Sequence, residues 1–134
     1  MLAFLQRWFG RDGPGDVGER LAAEWLRRER AFTIVARNWR NPRDRREEID
    51  LVCRDHEVLV FVEVKARAAA ALVPGYYAVN ARKKRVLQRA ARNYMRQLRE
   101  PPTTFRFDVV EIGLPAAGSD AAPRVLHFEN VPLF

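Results

Sequence analysis

A chain of 134 residues that is 48% hydrophobic and 10% aromatic is long enough for one domain with its own core and too apolar for general disorder. Its formal charge of +7 and pI near 10.5 favour an anionic partner. The lone cysteine, Cys53, excludes an internal disulfide and a cysteine-rich zinc site, and it suits a reducing, cytoplasmic location.

The first nine residues, MLAFLQRWF, are apolar and amphipathic. They are too short for the apolar stretch of a signal peptide, and Arg11, Asp12 and Gly13 follow in place of a cleavage site. No export and no membrane span is expected, and docking on the chain's own core is the favoured role. Residues 1–15 read as an N-terminal extension, and the domain core as about 16–113. Asp16 with Glu19 three residues on resembles a capping box and opens a helix over 16–28 whose core side carries Leu21, Ala22, Trp25 and Leu26. Glu19 flanks that side, so it either caps the helix or overlooks the sheet.

A first strand is predicted over 32–37 and a charged loop over 41–46. Residues 48–53 and 58–65 then alternate as two strands of a hairpin turning at His56 and Glu57. In the first, Ile49, Leu51 and Cys53 oppose Glu48, Asp50 and Val52. In the second, the four valines 58, 60, 62 and 64 oppose Leu59, Phe61, Glu63 and Lys65. Counting back from Asp55 facing Val58 puts Asp50 opposite Glu63 and Glu48 opposite Lys65. Directly opposed residues lie roughly 4.5–5.5 Å apart at Cβ, so the carboxylates repel unless a cation or a proton lies between them. A divalent metal is the simplest resolution; a solvated Glu63–Lys65 ion pair beside a surface Asp50 is the bland one. Only Lys65, Lys83 and Lys84 among the 24 basic residues are lysine, so position 65 looks chemically chosen. An ammonium can lose its proton when desolvated, whereas a guanidinium stays charged.

Residues 66–74 read as a mobile connection near the site. From 80 to 99 there are eight basic residues and no acid. At helical spacing Arg82, Arg85, Arg89, Arg92, Arg96 and Arg99 form one stripe, and Leu87, Ala90, Tyr94 and Leu98 the opposite one. Lys83 falls within the apolar stripe and should face the sheet. The arginines are either a solvated face or a polyanion-binding one; the absence of glutamates for i,i+4 pairing favours the second. Pro101 and Pro102 stop this helix, and strands follow over 105–112 and 124–129. Trp39, Tyr76 and Tyr77 lie in loop-like contexts where a nucleic acid could touch them. Neither His56 nor His127 has a partner at metal-ligand spacing, and the glycines fit no phosphate-binding loop.

These residues carry a resemblance. Glu48-Ile49-Asp50-Leu51 followed by Phe61-Val62-Glu63-Val64-Lys65-Ala66-Arg67 resembles the E-I-D-L and F-V-E-V-K-x-R signatures of the YraN family of bacterial endonuclease-like proteins, in the PD-(D/E)XK superfamily. Gly18-Glu19, Asn38 with Arg40, and Arg106-Phe107-Asp108-Val109-Val110 fit the same family, so the likeness spans roughly 16–113. Glu47 departs from it, standing where glycine is usual; an acid beside the site is expected to alter metal affinity or substrate approach. The resemblance implies a single restriction-endonuclease-like α/β domain, a mixed central sheet with an αβββαβ core. It also implies a DNA endonuclease dependent on Mg²⁺ or Mn²⁺, acting on branched or otherwise structured DNA. Catalytic roles fall on Glu19, Asp50, Glu63 and Lys65. Metal ligation falls on Asp50, Glu63, the Val64 carbonyl and Glu48. Nucleic-acid contacts fall on Arg40, Arg67, Arg82, Lys83, Arg85, Arg89 and Arg92. A homodimer is compatible with this reading. The alternative is a nucleic-acid-binding module with a vestigial nuclease site.

Overall fold

The computed structural model describes residues 14–68 and 80–133. The N-terminal nonamer, Tyr76, Tyr77 and most of the 66–74 connection lie outside the described residues. Helix α1 (Pro14–Arg30) leads into β1 (Thr33–Asn41), β2 (Asp44–Asp55) and β3 (Val58–Ala68); α2 (Ala81–Arg96), β4 (Phe105–Leu114) and β5 (Arg124–Phe128) follow. The five strands form one sheet in sequence order. Every neighbouring pair is antiparallel except β3 and β4, whose parallel pairing is bridged by the crossover through α2. This is the α/β class and the αβββαβ order expected, with β5 added at the edge.

Each face of the sheet is covered by one helix. Leu51, Cys53, Val60 and Val62 pack with Val17, Ala22 and Leu26 of α1. On the other face Val52, Leu59 and Phe61 meet Ala90, Ala91 and Tyr94 of α2. The period-two pattern of β3 produces this division, since successive side chains leave opposite faces of a strand. Burial pushes the Cys53 thiol up to about 12, so it is an inert core group.

Several boundaries differ from the sequence reading. Strand β1 runs on to Asn41 and β2 begins at Asp44, so the charged loop shrinks to a tight turn and Trp39 belongs to a strand, with its ring edge-on to Tyr94 at 5.5 Å. Strand β3 continues through Ala66 to Ala68, because β4 pairs with it out to Ala68↔Leu114. The basic helix ends at Arg96, leaving Arg99 beyond it. Helix α1 begins at Pro14, ahead of Asp16, so Glu19 is not the reciprocal partner of a capping box there.

Candidate active site

The site lies where the sheet forks. Strands β2 and β3 pair from Asp55↔Val58 only as far as Leu51↔Val62. Beyond that rung β2 continues against β1 and β3 continues against β4. Asp50 stands at the fork, and its Oδ2 accepts the Val64 backbone N–H at 2.8 Å, replacing a carbonyl acceptor that a continued ladder would have supplied. Alternation also breaks here. Leu51 packs toward α1, whereas Ile49 packs with the α2 cluster, although strict period two puts them on one face. Asn38, between the β1 partners of Leu51 and Ile49, takes a positive φ of 51°, so the backbone departs from the pleat on both strands.

The fork corrects the hairpin count. Neither the Asp50–Glu63 nor the Glu48–Lys65 rung forms, since pairing stops at Leu51↔Val62, and Asp50 meets β3 through the Val64 N–H. Glu48 pairs instead with Arg40 across β1, Oε2 to Nη2 3.0 Å. It still lies close enough to Asp50 to push that carboxyl upward. Glu47 is corrected as well. Its carboxylate is buried and accepts from Asn93 Nδ2 at 2.6 Å and Asn41 Nδ2 at 3.4 Å, so it ties β2 to α2 and does not crowd the acids.

Glu19 reaches the fork from α1 because the helix crosses β3 at very short range. A methyl group added at Gly18 would lie 2.7 Å from the Ala66 Cβ, a distance only glycine permits there. Glu19 is 6% exposed, and no donor reaches its Oε2. Burial first, then the Asp50 charge, push its carboxyl up to about 8, while Asn38 favours the ionised form. Burial likewise raises Asp50, against the Val64 N–H and Lys83, which favour its charge. Glu63, 8% exposed, is pushed up to about 7 by burial and by Asp50, with Lys83 and Lys65 opposing. The two ammoniums stand over it: Lys83 Nζ at 3.5 Å and Lys65 Nζ at 3.7 Å from Oε1. Lys83 thus comes from α2 onto the carboxylates, as its place in the apolar stripe predicts.

Sequence reasoning missed one neighbour, Glu111. It pairs in register with Lys65, is fully buried, and has no hydrogen-bond partner on either oxygen; Arg67 Nη2 lies 3.8 Å away. Burial raises its carboxyl against the pull of Arg67 and Lys65. The only sequence signal was an acid inside an otherwise apolar strand, Val109 to Leu114. Arg82, Arg85, Arg89 and Arg92 lie exposed along α2. Arg40 and Arg67 are engaged with Glu48 and Glu111.

Asp50 raises the carboxyls of Glu19 and Glu63, two lysines face Glu63, and Glu19 keeps an orphaned buried oxygen, so the fork is charge-frustrated. Its donors are all oxygen, which suits a hard divalent cation such as Mg²⁺ or Mn²⁺, and Glu19 Oε2 is an acceptor in need of a proton or a cation. Among the described residues no three His, Cys, Asp or Glu side chains are gathered as a ready-made metal cluster, and the lysines provide the nearest positive charge to Glu63.

Residues 18–112 match the model of the uncharacterised protein family UPF0102. The chain is 44% identical to a UPF0102 protein of Anaeromyxobacter dehalogenans over 89% of its length and 83% of the relative's. It is 40% identical to one of Beutenbergia cavernae over 90% of its length and 97% of the relative's. A third, from Symbiobacterium thermophilum, is 45% identical over 73% of this chain and 80% of the relative. The chain belongs to the UPF0102, or YraN, family.

Proposed function

We propose that this UPF0102 member is a DNA endonuclease dependent on Mg²⁺ or Mn²⁺ that hydrolyses phosphodiester bonds at the fork between β2 and β3. The observation that carries the reading is Asp50 held by the Val64 N–H one residue from Glu63, whose Oε1 faces both lysines, with the buried Glu19 Oε2 left without a donor. Asp50, Glu63 and the Val64 carbonyl would hold the cation, with Glu19 and Glu48 orienting its surroundings. When bound, such an ion lowers the pKa of water and stabilises charge on a phosphoryl group.

The chain's own groups divide the remaining work. The Val64 N–H fixes the Asp50 carboxylate in one orientation. Lys65, half-buried beside Glu63, positions the attacking water and, once its ammonium has given up a proton to solvent, would accept the water's proton as the neutral amine. Lys83 holds a non-bridging phosphate oxygen, and the exposed α2 arginines anchor the flanking backbone. A second reading, a binding module with a vestigial site, draws on the lysines, which already answer the Glu63 charge without a metal.

Cleavage of labelled linear, flapped and four-way DNA with Mg²⁺ or Mn²⁺ separates the two. The nuclease reading expects metal-dependent turnover that falls by roughly 10²–10⁴ in Lys65→Ala and is not restored by Lys65→Arg, because guanidinium cannot give up its proton. Binding to these DNAs with no turnover under either ion would leave the binding module standing.

A further inference from the structure

At the end of α2 remote from Lys83, the β1–β2 turn and the last helical turn enclose an open cleft of about 370 Å³, to which Trp39, Asn41, Arg43, Asn93, Arg96 and Gln97 contribute. Its construction differs from that of a solvated surface. Glu47, buried beneath it, accepts from the Nδ2 groups of both Asn41 and Asn93. Those bonds fix both amides, turning each Oδ1 the other way: Asn41 Oδ1 accepts from the Arg43 N–H at 3.0 Å, and Asn93 Oδ1 from Arg96 Nη1 at 3.4 Å. The Trp39 indole is half-buried and braced edge-on by Tyr94. Among the described residues the Arg43 guanidinium makes no ion pair, and the nearby Asp44 carboxylate is engaged by Arg46 at 2.9 Å.

We infer that this cleft binds one unpaired nucleotide of a nucleic-acid strand, its base against Trp39 and the fixed asparagine and Gln97 amides, its phosphate on Arg43 and Arg96. Aromatic surface, pre-oriented amides and two guanidiniums that no carboxylate among the described residues pairs are the chemistry by which an unstacked nucleotide is held. An unphosphorylated peptide brings no anion for the two guanidiniums, and a lipid headgroup brings no flat ring for the indole. The cleft continues the α2 arginine stripe, and the Lys83-to-Arg96 separation is roughly 20 Å at 1.5 Å per residue. A strand lying along the stripe therefore reaches both ends of α2. The inference rests on the nucleic-acid reading of that stripe and names its substrate class: DNA with an unpaired segment, in preference to uninterrupted duplex.

The test is binding in EDTA, independent of any cleavage, to a fluorescein-labelled oligothymidine 20-mer and to a blunt 20-base-pair duplex. Arg43→Gln combined with Arg96→Gln should weaken the single strand by about tenfold or more and the duplex by less than threefold, both positions being exposed and outside the core. A single strand carrying 5-bromodeoxyuridine should photocrosslink to peptides containing Trp39 or Asn93. Equal losses on the two DNAs, or crosslinks confined to residues outside the cleft, would overturn the inference. Absence of cleavage with this selectivity intact would remove the nuclease reading alone and leave the cleft assigned. Absence of binding to either DNA would overturn the cleft and leave the nuclease reading to the metal-dependent cleavage assay.

Discussion

Asp108 and Glu63 are both buried acids on adjacent parallel strands, and their surroundings are opposite. Asp108 Oδ1 accepts from Arg106 Nε at 3.0 Å and the Asn130 N–H at 2.9 Å, and its Oδ2 accepts from Arg106 Nη2 at 3.2 Å and His127 Nε2 at 2.8 Å. Arg30 donates to the other ring nitrogen of His127, so Nε2 carries the proton it gives to Asp108. Burial alone would raise this carboxyl. The bonds from His127, Arg106 and Asn130 outweigh burial and hold it below the usual carboxylate range. Glu63, Asp50 and Glu19 are raised, crowd one another, and leave an orphaned oxygen. A charge that the protein's own donors satisfy stabilises a fold. Charges left unsatisfied cost stability and persist where something outside the chain is to be bound.

The comparison breaks most visibly on stability. Asp108→Ala strands His127 and the Asn130 N–H without their acceptor, leaves Arg106 only Asp55 to pair with, and should cost about 3–5 kcal/mol. Glu63→Gln removes a repelled charge and should be neutral or stabilising in the absence of metal. Urea melts of the two variants in EDTA would check the contrast; equal destabilisation would erase it.

The pH dependence should follow the same division. Glu63 titrates near 7 and Glu19 near 8 in the folded chain, both above their unfolded value of 4.5. The folded state therefore binds more protons than the unfolded one between those limits, and stability contributed by these groups is present below about 4.5 and lost as pH rises through 7 to 8. Melting temperature without divalent ions should drop from pH 5 to pH 8.5 by several degrees, equivalent to about 2 kcal/mol. Glu63→Gln should flatten that fall, and saturating Mn²⁺ should reverse it.

A smaller effect belongs to the exposed α2 stripe, which touches neither acid cluster. Replacing Arg85, Arg89 and Arg92 by Gln should leave the melting temperature within a degree or two. The salt dependence of DNA binding should become shallower by about 0.9 in log–log slope for each phosphate that is no longer neutralised. An unchanged slope would mark the stripe as solvated surface.

The two regions were unequally legible. Asp50, Glu63 and Lys65 could be read from local alternation and Lys83 from helical periodicity, because each signal is complete within one element; periodicity left Glu19 between cap and site, and only the family resemblance favoured the site. The frustrated pocket is thus written in short-range patterns. The Asp108 network is not: its donors come from β4, β5 and the segment after β5, and no periodicity announces which strand will supply them. Glu111 and Glu47 were missed or misplaced for the same reason, since the burial of an acid depends on what a distant element lays over it. The fork itself escaped the hairpin count. Alternation assumes a continued ladder, whereas β2 parts from β3 after Leu51↔Val62 while β3 keeps its pairing with β4, and the Asp50 side chain takes the Val64 N–H.

The central claim is that the fork is built to hold a divalent cation, and calorimetric titration of Mn²⁺ into wild type and Asp50→Asn at one pH tests it most directly. Asp50→Asn keeps the size of the side chain while removing a ligand charge. The account predicts one site at millimolar or tighter affinity in wild type, weakened at least tenfold in Asp50→Asn, with the apo variant as stable as wild type or more so. No heat of binding in wild type at millimolar Mn²⁺, together with an apo Asp50→Asn that is unchanged or more stable, would contradict it and reduce the pocket to a tolerated cluster of charges.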